Sequence, residues 1–143
     1  MKVIEFTYPV SAPADRVFAC LVDFGQLARW RSLESLRVEP EGSLRPGTRL
    51  YTTVKGPGGT MRFVNEVTVV DPERREYDDR SVDGTFPIES GWRVDEDGGG
   101  SRIRWITRYE ARGPLRLLGP LLGRMIRRGQ LSDLKKFEAM LSE

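Results

Sequence analysis

The sequence predicts one α+β domain, in which a curved antiparallel sheet of six or seven strands surrounds a long C-terminal helix and two short helices lie near the N-terminus. The length of 143 residues is enough for one substantial core and too short for two. Apolar and polar residues alternate from residue 34 to residue 111, whereas residues 11–30 and 117–141 carry apolar residues at helical spacing. An antiparallel sheet and an amphipathic helix bury both apolar faces when the sheet curls around the helix.

The N-terminal segment predicts one strand followed by two short helices. Residues 2–10 alternate with period two and reach a proline at position 9, which is typical of a strand that ends there. Ser11 is a predicted N-cap, and Asp15 suits the positive end of the helix that follows. Gly25 is expected to interrupt this helix, and residues 27–30 then form one further short helical turn.

The middle of the chain predicts a succession of antiparallel strands. Turn signals such as Asp71-Pro72 and Asp83-Gly84 separate short alternating segments. Proline has no backbone N–H and cannot continue a strand ladder, so a strand is expected to end at Asp71-Pro72. The predicted strands cover residues 36–38, 48–55, 61–70, 76–81, 86–94 and 102–111.

The C-terminal segment returns to helical spacing, and Gly119-Pro120 is expected to kink or divide it near its start. Leucines in residues 113–131 alternate with Arg116, Arg124, Arg127 and Arg128. Such a basic amphipathic segment either lies on an anionic membrane, docks a partner protein, or forms a core helix with a charged outer face. The core helix is the usual case.

Composition excludes several classes of function. The net charge of +2 does not favour a dedicated nucleic-acid binder, so no nucleic-acid partner is expected. The chain has no histidine and only one cysteine, Cys20, which removes histidine-dependent triads, intrachain disulfides and the commonest zinc ligand. We therefore expect no metal and no cofactor. Neither a signal peptide nor a spanning segment is evident, so a cytoplasmic location is expected, and the oligomeric state is not predicted.

Strand parity predicts which side chains face the enclosed side of the sheet. Ile103, Trp105, Thr107 and Tyr109 share one face of the last strand, and the arginines of that strand occupy the other, where they need no buried partner. Parity predicts inward-facing residues on the neighbouring strands as well, and an aromatic residue and two positions of the C-terminal helix are expected to complete the wall. The predicted ligand-binding set is Trp30, Phe63, Asn65, Phe86, Ile88, Ser90, Trp92, Trp105, Thr107, Tyr109, Met125 and Gly129.

Polar residues in this set leave two interpretations open. Asn65, Ser90 and Thr107 fall among apolar neighbours, where they either satisfy each other or a buried water, or orient a carbonyl or hydroxyl of a ligand. The carboxylates are expected to be solvated: Glu66 and Glu89 lie on predicted outward faces, and Asp78-Asp79 lie on a short strand. Two further residues, Tyr51 and Arg49, are candidates for the mouth of a cavity.

Three segments resemble one protein family. Residues 10–18 (VSAPADRVF), with LVDF at 21–24 and Trp30, are similar to the N-terminal signature of the START-like (SRPBCC) superfamily, nearest to its polyketide cyclase/dehydrase and lipid-transport group. Residues 69–75 (VVDPERR) and 99–105 (GGSRIRW) resemble that group's central strand ending and last hairpin. The resemblance spans the chain. It implies the helix-grip fold, with a cavity between the sheet and the C-terminal helix, but no single chemistry, because members include cyclases, lipid carriers and hormone receptors.

The sequence thus supports three hypotheses of function. The first is binding, with or without transport, of a hydrophobic small molecule or lipid. The second is a polyketide cyclase or dehydratase that works mainly by positioning its substrate, with tyrosine, arginine or water handling protons. The third is an interaction module that docks a protein through the C-terminal helix. The absence of histidine and of a clear acid–base pair favours the first over the second.

Overall fold

The computed structural model describes residues 1–143, which form seven strands, three α-helices and one 3₁₀ helix. The strands are β1 (Lys2–Val10), β2 (Ser35–Glu39), β3 (Arg49–Gly56), β4 (Gly59–Asp71), β5 (Glu76–Gly84), β6 (Ile88–Asp97) and β7 (Gly100–Tyr109), and the helices are α1 (Ala14–Leu21), α2 (Phe24–Trp30), the 3₁₀ helix (Gly113–Leu118) and α3 (Pro120–Leu141).

All seven strands belong to one antiparallel sheet with the order β1-β7-β6-β5-β4-β3-β2. Each pair from β2 to β7 is adjacent in the chain, and β1 joins the sheet by pairing along β7 from Lys2↔Tyr109 to Val10↔Ser101. The predicted α+β architecture, with a sheet of six or seven strands and a long C-terminal helix, is confirmed.

One junction in this sheet is shorter than the others, with three residue pairs against five or more elsewhere. Strands β5 and β6 pair only from Glu76↔Arg93 to Asp78↔Gly91, whereas β6 and β7 pair over their full lengths. Beyond Asp78 two carboxylates bridge the gap: Asp79 accepts a hydrogen bond from the Ser90 amide at 2.9 Å, and Glu89 accepts one from the Ser81 amide at 2.9 Å. Side chains therefore replace the missing ladder.

The two N-terminal helices differ from their predicted boundaries. Helix α1 begins after Pro13 without any side-chain cap, so the predicted N-cap at Ser11 is wrong. The chain breaks between the helices at Val22 and Asp23 rather than at Gly25. The Asp23 carboxylate caps α2 by accepting from the Gly25 amide at 3.0 Å, so the glycine lies inside the first turn of α2.

Strand β4 contains an irregularity that changes the parity of its side chains. Its register with β5 shifts between Val67 and Val69, so the period-two pattern does not continue through the strand. The face that Phe63 and Asn65 share therefore points inwards as far as Val67, which is fully buried. After the shift Val70, rather than Val69, packs against the main core.

The C-terminal segment divides where Gly119-Pro120 was expected to divide it. Gly119 has a φ of 53°, a left-handed conformation that lets the 3₁₀ helix end and α3 begin with Pro120. Leu117 is 89% exposed, so the apolar side chains of this segment are not all in the core. No helix of the chain combines the length and the apolar content needed to span a membrane.

The main core fills the end of the sheet beneath α1, α2 and the C-terminal half of α3. Its centre is aromatic: Trp30 lies 5.7 Å from Trp92 and 5.1 Å from Phe137 between ring centroids, and Trp92 lies 5.6 Å from Trp105. A second, smaller cluster of Phe63, Phe86, Tyr109 and Leu122 lies under the N-terminal half of α3. The space left between these two clusters holds the site described next.

Candidate functional site

A cavity of about 330 Å³ lies between the concave face of the sheet and α3. Strands β3 to β6 supply one wall and α3 supplies the other. The apolar part of the wall comes from Leu50, Val54, Met61, Phe63, Phe86, Ile88, Leu122, Met125 and Ile126. The rim of the cavity includes Gly56 and Pro57 at the turn after β3 and the exposed residues Met125 and Gly129 of α3. A volume of this size lies within the range of pockets that hold small organic molecules.

One part of the cavity wall is polar. It consists of Arg31, Ser32, Asn65, Asp79, Ser90, Gln130 and Asp133, contributed by the end of α2, by strands β4 to β6, and by α3. The rest of the wall is largely apolar, so the cavity as a whole is amphipathic. An occupant would place an apolar body against the side chains of β3, β4 and α3 and a polar group at this wall.

Asp79 is the centre of the hydrogen bonds in the polar wall. Its Oδ1 accepts from the side-chain amide of Asn65 and from the backbone N–H of Ser90, both at 2.9 Å, and its Oδ2 accepts from the Tyr77 hydroxyl at 2.9 Å. Asn65 also donates to the carbonyl of Ile88 at 2.7 Å. These bonds fix Asp79 rigidly, since the three donors come from three neighbouring strands.

Burial raises the pKa of Asp79 from an ordinary 3.8 to about 6. The hydrogen bonds from Ser90, Tyr77 and Asn65 and the charge of Arg31 act in the opposite direction without cancelling the effect of burial. Burial also raises the pKa of Tyr77 well above its usual value of 10, and the neighbouring Asp79 adds to that rise. The cavity therefore contains a carboxyl group that changes its charge near neutral pH, beside a phenol that stays protonated.

Arg31 and Asp133 form an ion pair in the same wall. Arg31 Nε lies 3.2 Å from Asp133 Oδ2, and Asp133 Oδ1 accepts from both the backbone N–H of Ser32 at 3.1 Å and its hydroxyl at 2.7 Å. The Arg31 guanidinium lies over the rings of Trp105 and Trp30, at 5.2 and 5.7 Å from their centroids. Arg31 thus separates the aromatic core from the cavity and locks α2 to α3.

Seven of the twelve residues predicted to bind a ligand line this cavity: Phe63, Asn65, Phe86, Ile88, Ser90, Met125 and Gly129. Strand parity placed Phe63, Asn65, Ile88 and Ser90 correctly on the concave face. Phe86 lies in the turn just before β6 rather than on a strand, and Met125 and Gly129 lie at the rim. Whether they contact a ligand stays a prediction.

The three tryptophans of the predicted set do not line the cavity. Trp30 and Trp105 are 0% exposed and Trp92 is 2% exposed, because they pack on one another and on Tyr77 and Phe137. Parity gave the face of Trp92 and Trp105 correctly, but the helices cover that end of the face, and Trp30 belongs to α2 itself. The prediction that they form the ligand-contacting wall is therefore corrected to a role in the core.

Two other residues of the predicted set are also taken up by packing. Thr107 is fully buried and accepts a hydrogen bond from the Gln130 side chain at 2.7 Å. Tyr109 is 3% exposed, and its hydroxyl lies so close to α3 that a Cβ at Gly123 would be 2.6 Å away. Neither side chain lines the cavity.

The two candidates for the cavity mouth also lie elsewhere. The Tyr51 ring packs under the guanidinium of Arg37 at 4.0 Å, and Arg49 lies 3.5 Å from Glu66, on the side of β3 opposite to Leu50, Thr52 and Val54. Both residues therefore belong to the outer face of the sheet.

Sequence reasoning missed the charged residues of the polar wall. The solvated-surface interpretation is wrong for Asp79, although Asp78 does face outwards and pairs with Arg93 at 3.0 Å. Strand parity could have indicated it, because Asp79 shares a face with the aromatic Tyr77. Arg31, Asp133 and Gln130 carried no comparable signal, since their placement depends on how α2 and α3 meet.

Comparisons with known proteins agree with this architecture. The family model described as "Polyketide cyclase / dehydrase and lipid transport" matches residues 1–141. No curated protein sequence matches the chain. The solved structure of TTHA0849 from Thermus thermophilus is 25% identical, covers 96% of this chain and 95% of its own, and superposes with a TM-score of 0.84.

Two further solved structures show the same fold at lower identity. A START superfamily protein from Mycobacterium smegmatis is 16% identical, with a TM-score of 0.81 and coverage of 98% of this chain and 97% of its own. The ZhuI aromatase/cyclase from Streptomyces sp. R1128 is 19% identical, with a TM-score of 0.80 and coverage of 97% and 92%. From the match along almost its whole length, the chain belongs to the polyketide cyclase/dehydrase and lipid-transport family.

Proposed function

We propose that the protein binds a small, mostly apolar molecule with one polar end in the cavity between the sheet and α3. The observation that carries this proposal is the cavity itself: about 330 Å³ of space with an apolar wall and a single polar region, in a fold whose family holds hydrophobic small molecules. Filling such a space releases water from apolar surface, at about 25 cal/mol per Å² buried. The proposed function is therefore binding of this molecule, and transport of the bound molecule is an extension of the same proposal.

A pair of adjacent threonines tests the proposal. Thr52 lines the cavity, whereas Thr53 faces the other side of β3 and hydrogen-bonds to the Ser35 hydroxyl at 2.6 Å. We expect the neutral fluorescent probe N-phenyl-1-naphthylamine to bind the wild-type protein. Thr52→Trp should weaken that binding at least about tenfold, because an indole occupies much of the cavity, while Thr53→Trp should leave it within about twofold.

The outcome that contradicts the proposal is equal probe affinity in both variants and the wild-type protein, with both variants shown to be folded by circular dichroism. Native mass spectrometry of the purified protein provides the natural complement, since a tightly held molecule co-purifies. If the mass of the co-purifying molecule changes when the protein is expressed in a different host, the molecule is a metabolite taken up from that host.

A polyketide cyclase- or dehydratase-type enzyme that works by positioning is the second candidate. The observation that favours it is Asp79, a carboxyl group in the cavity wall whose pKa of about 6 suits proton transfer near neutral pH. Mass spectrometry distinguishes the two candidates: a carrier returns its ligand unchanged, whereas an enzyme returns a product that differs from the compound supplied, for example by loss of water.

A further inference from the structure

Asp79 is a carboxylate in the cavity wall that has no cation in contact with it. Arg31 is the positively charged residue of the polar wall, and its Nε is paired with Asp133 at 3.2 Å rather than with Asp79. Within this wall two carboxylates therefore stand against one guanidinium, and the other cation that lines the cavity, Lys55, lies at the opposite end of β3 from Asp79. A buried carboxylate without a paired cation is costly for a protein to keep, so its presence at a binding cavity needs an explanation.

The hydrogen bonds of Asp79 leave room for one more donor. A carboxylate accepts about four hydrogen bonds, two at each oxygen. Oδ1 already accepts from Asn65 and Ser90, while Oδ2 accepts only from the Tyr77 hydroxyl. The remaining acceptor position is on Oδ2, and Asp79 is half-buried, with part of its surface in the cavity.

Gln130 provides a second acceptor in the same wall. Its Nε2 donates to Thr107, and its Oε1 is buried without any hydrogen-bond partner in the protein. Because buried polar atoms are normally paired, an unpaired carbonyl oxygen in the same wall as Asp79 adds to the acceptor character of that wall. A molecule that supplies a hydrogen-bond donor fits this wall better than one that supplies only acceptors.

We propose that the molecule bound in the cavity carries a hydrogen-bond donor, a hydroxyl or a protonated amine, and that Asp79 receives this donor while the apolar body lies against β3, β4 and α3. The inference rests on the proposed binding function and specifies the ligand's polar end. Asp79 is thereby a specificity-determining residue.

A purely structural role does not account for the charge of Asp79. An asparagine at this position would still accept from the Ser90 amide and Asn65 through its carbonyl oxygen, and its amide would donate to the Tyr77 oxygen. To connect β5 and β6 where their ladder ends, position 79 needs only a hydrogen-bond acceptor for the Ser90 amide. What the aspartate adds is a negative charge directed at the cavity, which strengthens a hydrogen bond from a ligand and attracts a cation.

The experiment compares three naphthalene derivatives of similar shape: 2-naphthylmethylamine, 2-naphthylmethanol and 2-ethylnaphthalene. Each competes with N-phenyl-1-naphthylamine for the wild-type protein and for Asp79→Asn. We expect the wild-type protein to bind the amine, the alcohol or both at least about tenfold more tightly than the hydrocarbon, since a hydrogen bond to a charged group contributes more than one to a neutral group. Asp79→Asn should lose that preference and keep its affinity for the hydrocarbon.

Asp78→Asn is the matched control, because Asp78 is the neighbouring residue on β5 and pairs with Arg93 on the outer face. It should keep the wild-type preference. The amine and alcohol distinguish the two donor types, and either one supports the proposal.

The pH dependence gives a second readout. The groups that face Asp79 are Tyr77 on β5, Arg31 at the end of α2 and Asp133 on α3, together with the neutral Asn65 on β4 and Ser90 on β6. Because the pKa of Asp79 is about 6, affinity for the amine should rise between pH 5 and pH 7 in the wild-type protein and stay flat in Asp79→Asn.

Equal affinity of the wild-type protein for all three compounds would overturn the inference, and this comparison does not depend on the folding of any variant. Since the hydrocarbon and the fluorescent probe would still bind, the proposed function would stand. If neither the probe nor any of the three compounds binds, the proposed function fails, and the inference fails with it.

Discussion

Replacing Asp79 with asparagine should stabilise the protein at neutral pH and change the pH dependence of its stability. The folded protein raises the pKa of Asp79 from 3.8 to about 6, mainly by burial. Well below pH 3.8 the carboxyl is protonated in both the folded and the unfolded chain, so it does not change the free energy of unfolding there. Between pH 4 and pH 6 the unfolded chain releases the proton first, and the free energy of unfolding of the wild-type protein falls as the pH rises.

The size of the effect follows from the two pKa values. One pKa unit corresponds to about 1.4 kcal/mol, so the interval from 3.8 to about 6 corresponds to about 3 kcal/mol of lost stability above pH 6. Asp79→Asn has no proton to release and keeps the hydrogen bonds to Ser90 and Asn65. The variant should therefore match the wild-type protein near pH 4 and exceed it by up to about 3 kcal/mol at pH 7 to 8.

Urea unfolding followed by tryptophan fluorescence measures this difference at pH 4, 5, 6, 7 and 8. Subtracting one curve from the other removes the contributions of other carboxylates, such as Glu66 and Glu110, whose pKa values are lowered by neighbouring arginines and whose effect has the opposite sign. Asp78→Asn serves again as the control and should give no rising difference across this range. A difference between Asp79→Asn and the wild-type protein that is constant with pH would refute the reasoning.

Two further substitutions test the distinction between core and cavity. Trp92→Phe should lower the free energy of unfolding by about 1–3 kcal/mol, because the indole packs on Tyr77, Trp30 and Trp105. The same variant should keep its affinity for N-phenyl-1-naphthylamine within about twofold, and a large loss of affinity in the folded variant would show that Trp92 belongs to the cavity wall. Gly84→Ala should lower the free energy of unfolding, measured in urea, by about 1–3 kcal/mol, since Gly84 has a φ of 138° and a Cβ there would lie 2.5 Å from the Arg62 carbonyl oxygen. An unchanged free energy of unfolding would contradict the expected strain.

Local patterns predicted the strands well, because strand alternation and turn residues act over a few positions. The predicted strand at 48–55 is observed as Arg49–Gly56, and the Gly119-Pro120 division of the C-terminal segment is observed as well. The irregularity of β4 near Val67 was not predictable, since it arises from the pairing of two strands rather than from either one alone.

The candidate site was predicted less completely than the fold. Parity decides which face of a strand a side chain occupies, and it placed Phe63, Asn65 and Ile88 on the cavity side. It does not decide how much of that face the helices cover, so Trp92 and Trp105 were assigned to the same wall although they lie in the core. That boundary depends on where α2 and α3 pack, which is a property of the assembled domain.

The short β5–β6 ladder divides the sheet into two parts. Strands β2–β5 and strands β6–β7–β1 are each joined by longer ladders. Between the two parts, three residue pairs and the hydrogen bonds accepted by Asp79 and Glu89 carry the connection. A change in the angle between the two parts would therefore break fewer backbone hydrogen bonds here than at any other junction of the sheet. Asp79 lies both at this junction and in the cavity wall, so the side chain that connects β5 to β6 also borders the cavity.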